Sequence, residues 1–150
     1  MSQRVIVVGV DGSDSSVDAL RWAAGQAKLI GASLRVVAVW HYPVSLGWAP
    51  AWPEDWDPGA EAKKALAGVV EKELGADPGI PIEQEVVEGH AAEVLVAFTE
   101  KSLSDLLVVG SRGHGAFAGM LIGSTSEFCA SHAKCPVVIV RHTDQEDPKG

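Results

Sequence analysis

Gly110, Gly113 and Gly123 are spaced as an anion-binding loop would need them: Gly110-x-x-Gly113, nine further residues, then Gly123-Ser124-Thr125-Ser126. Glycine has no Cβ, so Gly110 and Gly113 allow a turn with φ > 0 that brings backbone N–H groups close to an anion. If a helix starts at Ser124, its unpaired N–H groups and the positive end of its dipole attract phosphate. The hydroxyls of Ser124, Thr125 and Ser126 add hydrogen bonds to phosphate or to a bound Mg²⁺, and Arg112 and His114 bring positive charge. A purely structural reading is also open, because Ser124 and Glu127 have the spacing of a capping box, which needs no ligand.

A second loop, "GVDGSDSS" (residues 9–16), contains Val10 and Asp11. Asp11 has two readings: a carboxylate that accepts hydrogen bonds from ribose hydroxyls or an adenine amine, or a turn residue that caps the next helix. Neither loop is a P-loop, since GxxxxGK[ST] and its phosphate-gripping lysine are missing, and neither matches GxGxxG. Without that lysine or an evident general base, the pattern points to binding rather than fast hydrolysis. The site list on these grounds is Val10, Asp11, Gly110, Arg112, Gly113, Gly123, Ser124, Thr125 and Ser126.

The elements that must position these residues alternate between strand and helix. Strands are predicted at residues 4–10, 33–40, 82–88, 104–110 and 136–141. Helices are predicted at about 15–30, 60–75, 91–102 and 124–133, the first with Ser15 as N-cap and Asp18 completing a weak capping box. Gly31 stands where a helix C′ residue should. Pro43, Pro50, Pro53 and Pro58 exclude a helix from the segment that carries them. The order βαβαβαβαβ, with nearly continuous Val, Leu and Ile in four strands, predicts one three-layer α/β domain: a five-stranded parallel sheet with helices on both faces. The two loops flank one crevice if the strand order is 3-2-1-4-5; the order 2-1-3-4-5 would separate them. The domain is expected to span residues 1–141, with residues 142–150 as a loose acidic tail.

Composition narrows the function. A formal charge of −8 disfavours broad binding to nucleic acid or anionic membranes, though not to a small anion. No apolar run is long enough to cross a bilayer and the first one, Val5 to Val10, is too short for a signal peptide, so a cytoplasmic protein is expected. Cys129 and Cys135 form no CxxC pair and read as structural thiols, and no His, Cys and carboxylate set has zinc spacing.

The spacing Gly110-x-x-Gly113-(nine residues)-Gly123-Ser124 resembles the G-2x-G-9x-G-[S/T] signature of the ATP-binding universal stress proteins. The similarity runs from "VIVVGVDGSDSSVDALRWA" to "CPVVIVR". The resemblance implies that Asp11 contacts adenosine and that the backbone of Val39, at the end of the second strand, meets the adenine edge. It implies a ribose and phosphate cradle from Gly110, Gly113, Gly123, Ser124 and Thr125, with Arg112 and Ser126 as additions. It further implies ATP as ligand, with or without Mg²⁺, a role in stress response, and a homodimer joined along the last strand, Val137 to Arg141. An apolar edge strand does need a cover or a partner. Cyclic AMP, another adenine nucleotide, a slow phosphoryl- or adenylyl-transfer reaction on the same scaffold, or an interaction module that binds no nucleotide are the alternatives. The loop from His41 to Asp57 carries Trp48, Trp52 and Trp56, either as a lid over the nucleotide or a partner surface, or packed on the domain's own helices. The apolar stretch Ala116 to Ile122 is expected at the crevice rim or against a second subunit, or as a cover for its own sheet end.

Overall fold

In the computed structural model, which describes residues 4–40, 57–112 and 122–142, the valine-rich runs form the expected sheet. The order along the chain is β1 (Val5–Gly9), α1 (Asp14–Ile30), β2 (Ser33–Trp40), α2 (Pro58–Leu74), β3 (Ile82–Glu88), α3 (Ala91–Ser102), β4 (Leu106–Gly110), α4 (Ser124–His132) and β5 (Val137–Val140). All pairings are parallel and the sheet order is β3-β2-β1-β4-β5. Val8 of the central strand stands beside Val36 of β2 and Val108 of β4. The winding therefore reverses between β1 and β4. Gly113, His114, the apolar stretch as far as residue 121, the tryptophan-bearing segment 41–56 and the tail from 143 onward lie outside the described residues.

Strand alternation sends neighbouring side chains to opposite faces, so the sheet separates two cores. On one face Ile6, Val8, Leu34, Val36 and Val108 pack against α1 and α2. The α1 side of this contact is Ala19, Ala23 and Ala27 at helical spacing beside Leu20, all with no exposed surface. Small side chains in that row let the helix approach the strands closely. On the other face Val7, Val37, Leu107 and Val109 meet Leu95 of α3 and Cys129 of α4. The two sheet edges differ: β3 carries Glu83, Gln84, Glu85 and Glu88, whereas β5 is Val-Val-Ile-Val. Among the described residues no helix is long and apolar enough to cross a membrane, and no three His, Cys, Asp or Glu cluster as metal ligands would.

Three helix starts differ from the sequence expectation. The N-cap of α1 is Ser13, whose hydroxyl accepts from the Ser16 N–H at 3.4 Å; Ser15 lies inside the first turn because its side chain bonds elsewhere, as described below. Pro58 does not exclude a helix; it opens α2 behind the N-cap Asp57, since the first helical position needs no N–H. The N-cap of α4 is Gly123, in extended conformation, with no side-chain cap bond, so the Ser124–Glu127 capping box does not form.

Two predictions arise here. Leu103 caps α3 with φ 53° and is 83% exposed, a left-handed position where helices favour glycine. Leu103→Gly is expected to stabilise the fold by about 0.5–1 kcal/mol, read from the urea midpoint, because relief of the Cβ clash outweighs the added chain entropy. Cys129 is fully buried, and that burial, with a smaller contribution from nearby Cys135, pushes its thiol from the usual value near 9 up to about 11. The unfolded chain releases this proton near pH 9 while the folded chain keeps it, so rising pH favours unfolding through that window. Stability present in full below pH 9 should fall by about 1.4 kcal/mol per pH unit until about pH 11. Cys129→Ala should flatten this alkaline slope in urea titrations at pH 8 to 11.

Candidate functional site

The carboxyl ends of β1 and β4 open into a cavity of about 210 Å³. Val10, Asp11, Val39, Gly110, Arg112, Gly123, Ser124, Thr125 and Ser126 all line it, joined by Gly9, Ser13, Ser16, Val37, Ala91, Leu95 and Val109. Part of the lining, from Val37, Val39, Ala91, Leu95 and Val109, is apolar; the rest is polar, from the starts of α1 and α4 and the chain just past β4. Of the predicted site residues, only Gly113 falls outside the described part.

The polar wall is built by serines. Beyond β4, Ser111 still belongs to the sheet framework: its N–H donates to the Val140 carbonyl at 2.8 Å and its own carbonyl accepts from the Gly123 N–H at 2.6 Å. That second bond fixes the start of α4 against the end of β4. The Ser126 hydroxyl donates to the Gly110 carbonyl and ties the same two pieces again. The Gly123 N–H is already engaged, no side chain among the described residues caps the helix, and its first residues Ser124, Thr125 and Ser126 line the cavity. Ser124 is exposed, Thr125 half-buried and Ser126 buried, so the three hydroxyls differ in access.

Gly110 is glycine for a reason other than a left-handed turn. It is the last residue of β4 and is not among the positive-φ glycines. A Cβ there would lie 2.5 Å from Ser15 Oγ, 2.6 Å from Ser15 C and 2.7 Å from Ser16 N. The first turn of α1 crosses directly over the strand end, and a side chain has no room.

Asp11 carries out the turn role. Its Oδ1 accepts from the Ser13 N–H at 2.9 Å and from the Ser13 hydroxyl at 2.5 Å. It is also exposed and lines the cavity, so the turn presents a carboxylate there. The Asp11 N–H donates to Ser16 Oγ at 3.2 Å, and Ser16 Oγ donates to the Ser13 carbonyl at 3.0 Å. The buried Ser15 hydroxyl accepts from the Arg112 N–H at 3.3 Å and donates to the Arg112 carbonyl. Ser13, Ser15 and Ser16 were not identified from sequence as part of the site. The visible signal was four hydroxyl and acidic residues in a row after Gly12, which reads locally as helix capping.

Among the described residues lining the cavity, Arg112 is the cation and Asp11 the anion. A helix N-terminus contributes about 0.3–1 kcal/mol to an anion, up to about 2 in favourable sites. Even millimolar affinity needs about 4 kcal/mol. The α4 terminus thus cannot hold a ligand alone; Arg112, the hydroxyls and the apolar wall must act with it.

A doubly wound parallel sheet with an anion-suited crevice at its switch point defines the class of this domain. The chain belongs to the universal stress protein family, whose family model matches residues 3–141. It is 32% identical to a universal stress protein of Mycobacterium tuberculosis, over 97% of this chain and 50% of that protein. It is 31% identical to one from Methanocaldococcus jannaschii, over 94% of this chain and 84% of the relative. The chain spans about half the length of the mycobacterial relatives it matches. A solved universal stress protein in complex with cAMP superposes with a TM-score of 0.66 at 27% identity, covering 95% of this chain and 100% of the other.

Proposed function

We propose that the cavity binds an adenine nucleotide, ATP in the first place, and that the protein acts in a regulatory or protective capacity in stress response. The observation that carries this reading is that the α4 start, Arg112 and the Asp11 turn line one cavity together with the apolar Val37, Val39, Leu95 and Val109. The apolar lining takes the base, with the Val39 backbone at its edge; Asp11 takes the ribose; Gly110, Gly113 and the Gly123–Ser126 start take the phosphates. Mg²⁺ would sit among those phosphates and the hydroxyls. Family membership supports the reading, and so does the solved relative with cAMP. That complex also favours cyclic AMP as the second reading, because the base slot serves either ligand and only the phosphate side tells them apart.

Any hydrolysis is slow in this reading. Asp11 is the only carboxylate lining the cavity among the described residues, and one of its oxygens already serves Ser13. Two copies pair along Val137 to Arg141, an assembly that the uncharged β5 edge supports. The two unpaired cysteines fit a reducing cytoplasm.

Mass spectrometry of the small molecules released by denaturing freshly purified protein tests the ligand, followed by calorimetry with Mg-ATP, AMP and cAMP. An adenine nucleotide in the released fraction and micromolar titration of one of the three are expected. No adenine released and no heat with any of them would overturn the reading and leave an interaction module in its place.

A further inference from the structure

The geometry points to Ser15 as a positioning residue for the anion half of the site, acting through the Arg112 peptide rather than by touching ligand. The proposal rests on the adenine-nucleotide reading above. Ser15 is only 4% exposed and is not part of the cavity wall. Its single hydroxyl accepts from the Arg112 N–H and donates to the Arg112 carbonyl, so one side chain holds both backbone groups of a residue 97 positions away.

Arg112 is where such a grip is needed. Val109 and Gly110 are held in register against Ile139 and Val140, and Ser111 is held by the Val140 carbonyl and the Gly123 N–H. At Arg112 that framework stops, and among the described residues its backbone bonds go to serines: both groups to Ser15, and the carbonyl also to Ser13 Oγ at 3.4 Å. The cation of the cavity therefore starts from a peptide whose orientation is set by α1. The missing Cβ of Gly110 lets Ser15 sit that low, since any side chain there would meet Ser15 Oγ. Ser16, next in sequence, turns its hydroxyl to Asp11 and Ser13 instead. The start of the helix thus reaches both loops, Ser15 the loop after β4 and Ser16 the loop after β1, with the longer Ser13 contact to the Arg112 carbonyl between them.

This division has a signature that a merely structural serine would not give. In Ser15→Ala the Arg112 N–H loses its partner and the carbonyl keeps only Ser13 Oγ, and AMP affinity is expected to fall about five- to twentyfold. Adenosine, which lacks the phosphate, should bind within about twofold of wild type, because the slot and the Asp11 turn keep their supports. Calorimetry on the full chain reads both constants. An unchanged AMP constant, or equal losses for AMP and adenosine, would overturn the proposal. If Ser15→Ala does not fold, Ser15→Cys keeps the volume with a weak donor and acceptor and must show the same split. Should wild type bind neither ligand, the ligand reading has failed but the positioning claim is still decided by amide hydrogen exchange. The Arg112 N–H must exchange at least about tenfold faster in the variant, as a released hydrogen bond does; an unchanged rate refutes it.

Discussion

Gly110→Ala is expected to remove about 2–3 kcal/mol of folding stability, with a lower urea midpoint and an unchanged slope. The added methyl would lie 2.6 Å from Ser15 C and 2.7 Å from Ser16 N, both backbone atoms of α1. A flexible side chain could swing away from such a contact; a helical turn can only move as a body. That movement pulls Ser15 from Arg112 and lifts α1 from Val108, so weaker nucleotide binding should accompany the lost stability. Truncating Ser15 offers no relief, because two of the three close atoms are main chain. A Gly110→Ala protein as stable as wild type would mean that α1 does not cross the strand end as described.

Gly123→Val should do the opposite: leave the fold in place and empty the site. Gly123 has φ −75° and ψ 167°, extended values open to any residue, and its bond to Ser111 is made by the backbone N–H, which valine also has. Yet it is buried and forms part of the cavity wall beside the first residues of α4. A β-branched side chain at this N-cap intrudes on the space an anion would occupy. Loss of at least about 2.7 kcal/mol of binding, a hundredfold in affinity for Mg-ATP, is expected, while the thermal midpoint moves by no more than a few degrees. Intact affinity would show that phosphate does not approach this helix start.

Periodicity and turn residues foretold the order of elements because strands that are buried on both faces must be apolar throughout. Even the 3-2-1-4-5 order was readable, from chemistry rather than pattern, since two glycine loops only share a site if β1 and β4 are neighbours. The helix starts were less legible. Asp14, Ser15 and Ser16 all suit an N-terminus, and which of the neighbouring residues caps α1 depends on what the other hydroxyls bond in three dimensions. Ser15 is drawn inside the turn by the Arg112 backbone, a contact between residues far apart in sequence that no local rule reports. The same holds for Gly110. Its position in the spacing was visible, but its reason was misread as a left-handed turn, because a close approach by another element leaves no mark on the sequence around it.

The two edges of the sheet are unlike in charge, which bears on the proposed pairing. The β3 edge presents Glu83, Glu85 and Glu88, so a second strand laid against it in solution meets like charge from an identical copy. The β5 edge carries no charge at all. In the proposed pairing through β5 each copy would use its one uncharged sheet edge and keep the acidic β3 edge outside, which would stop edge-to-edge addition at two.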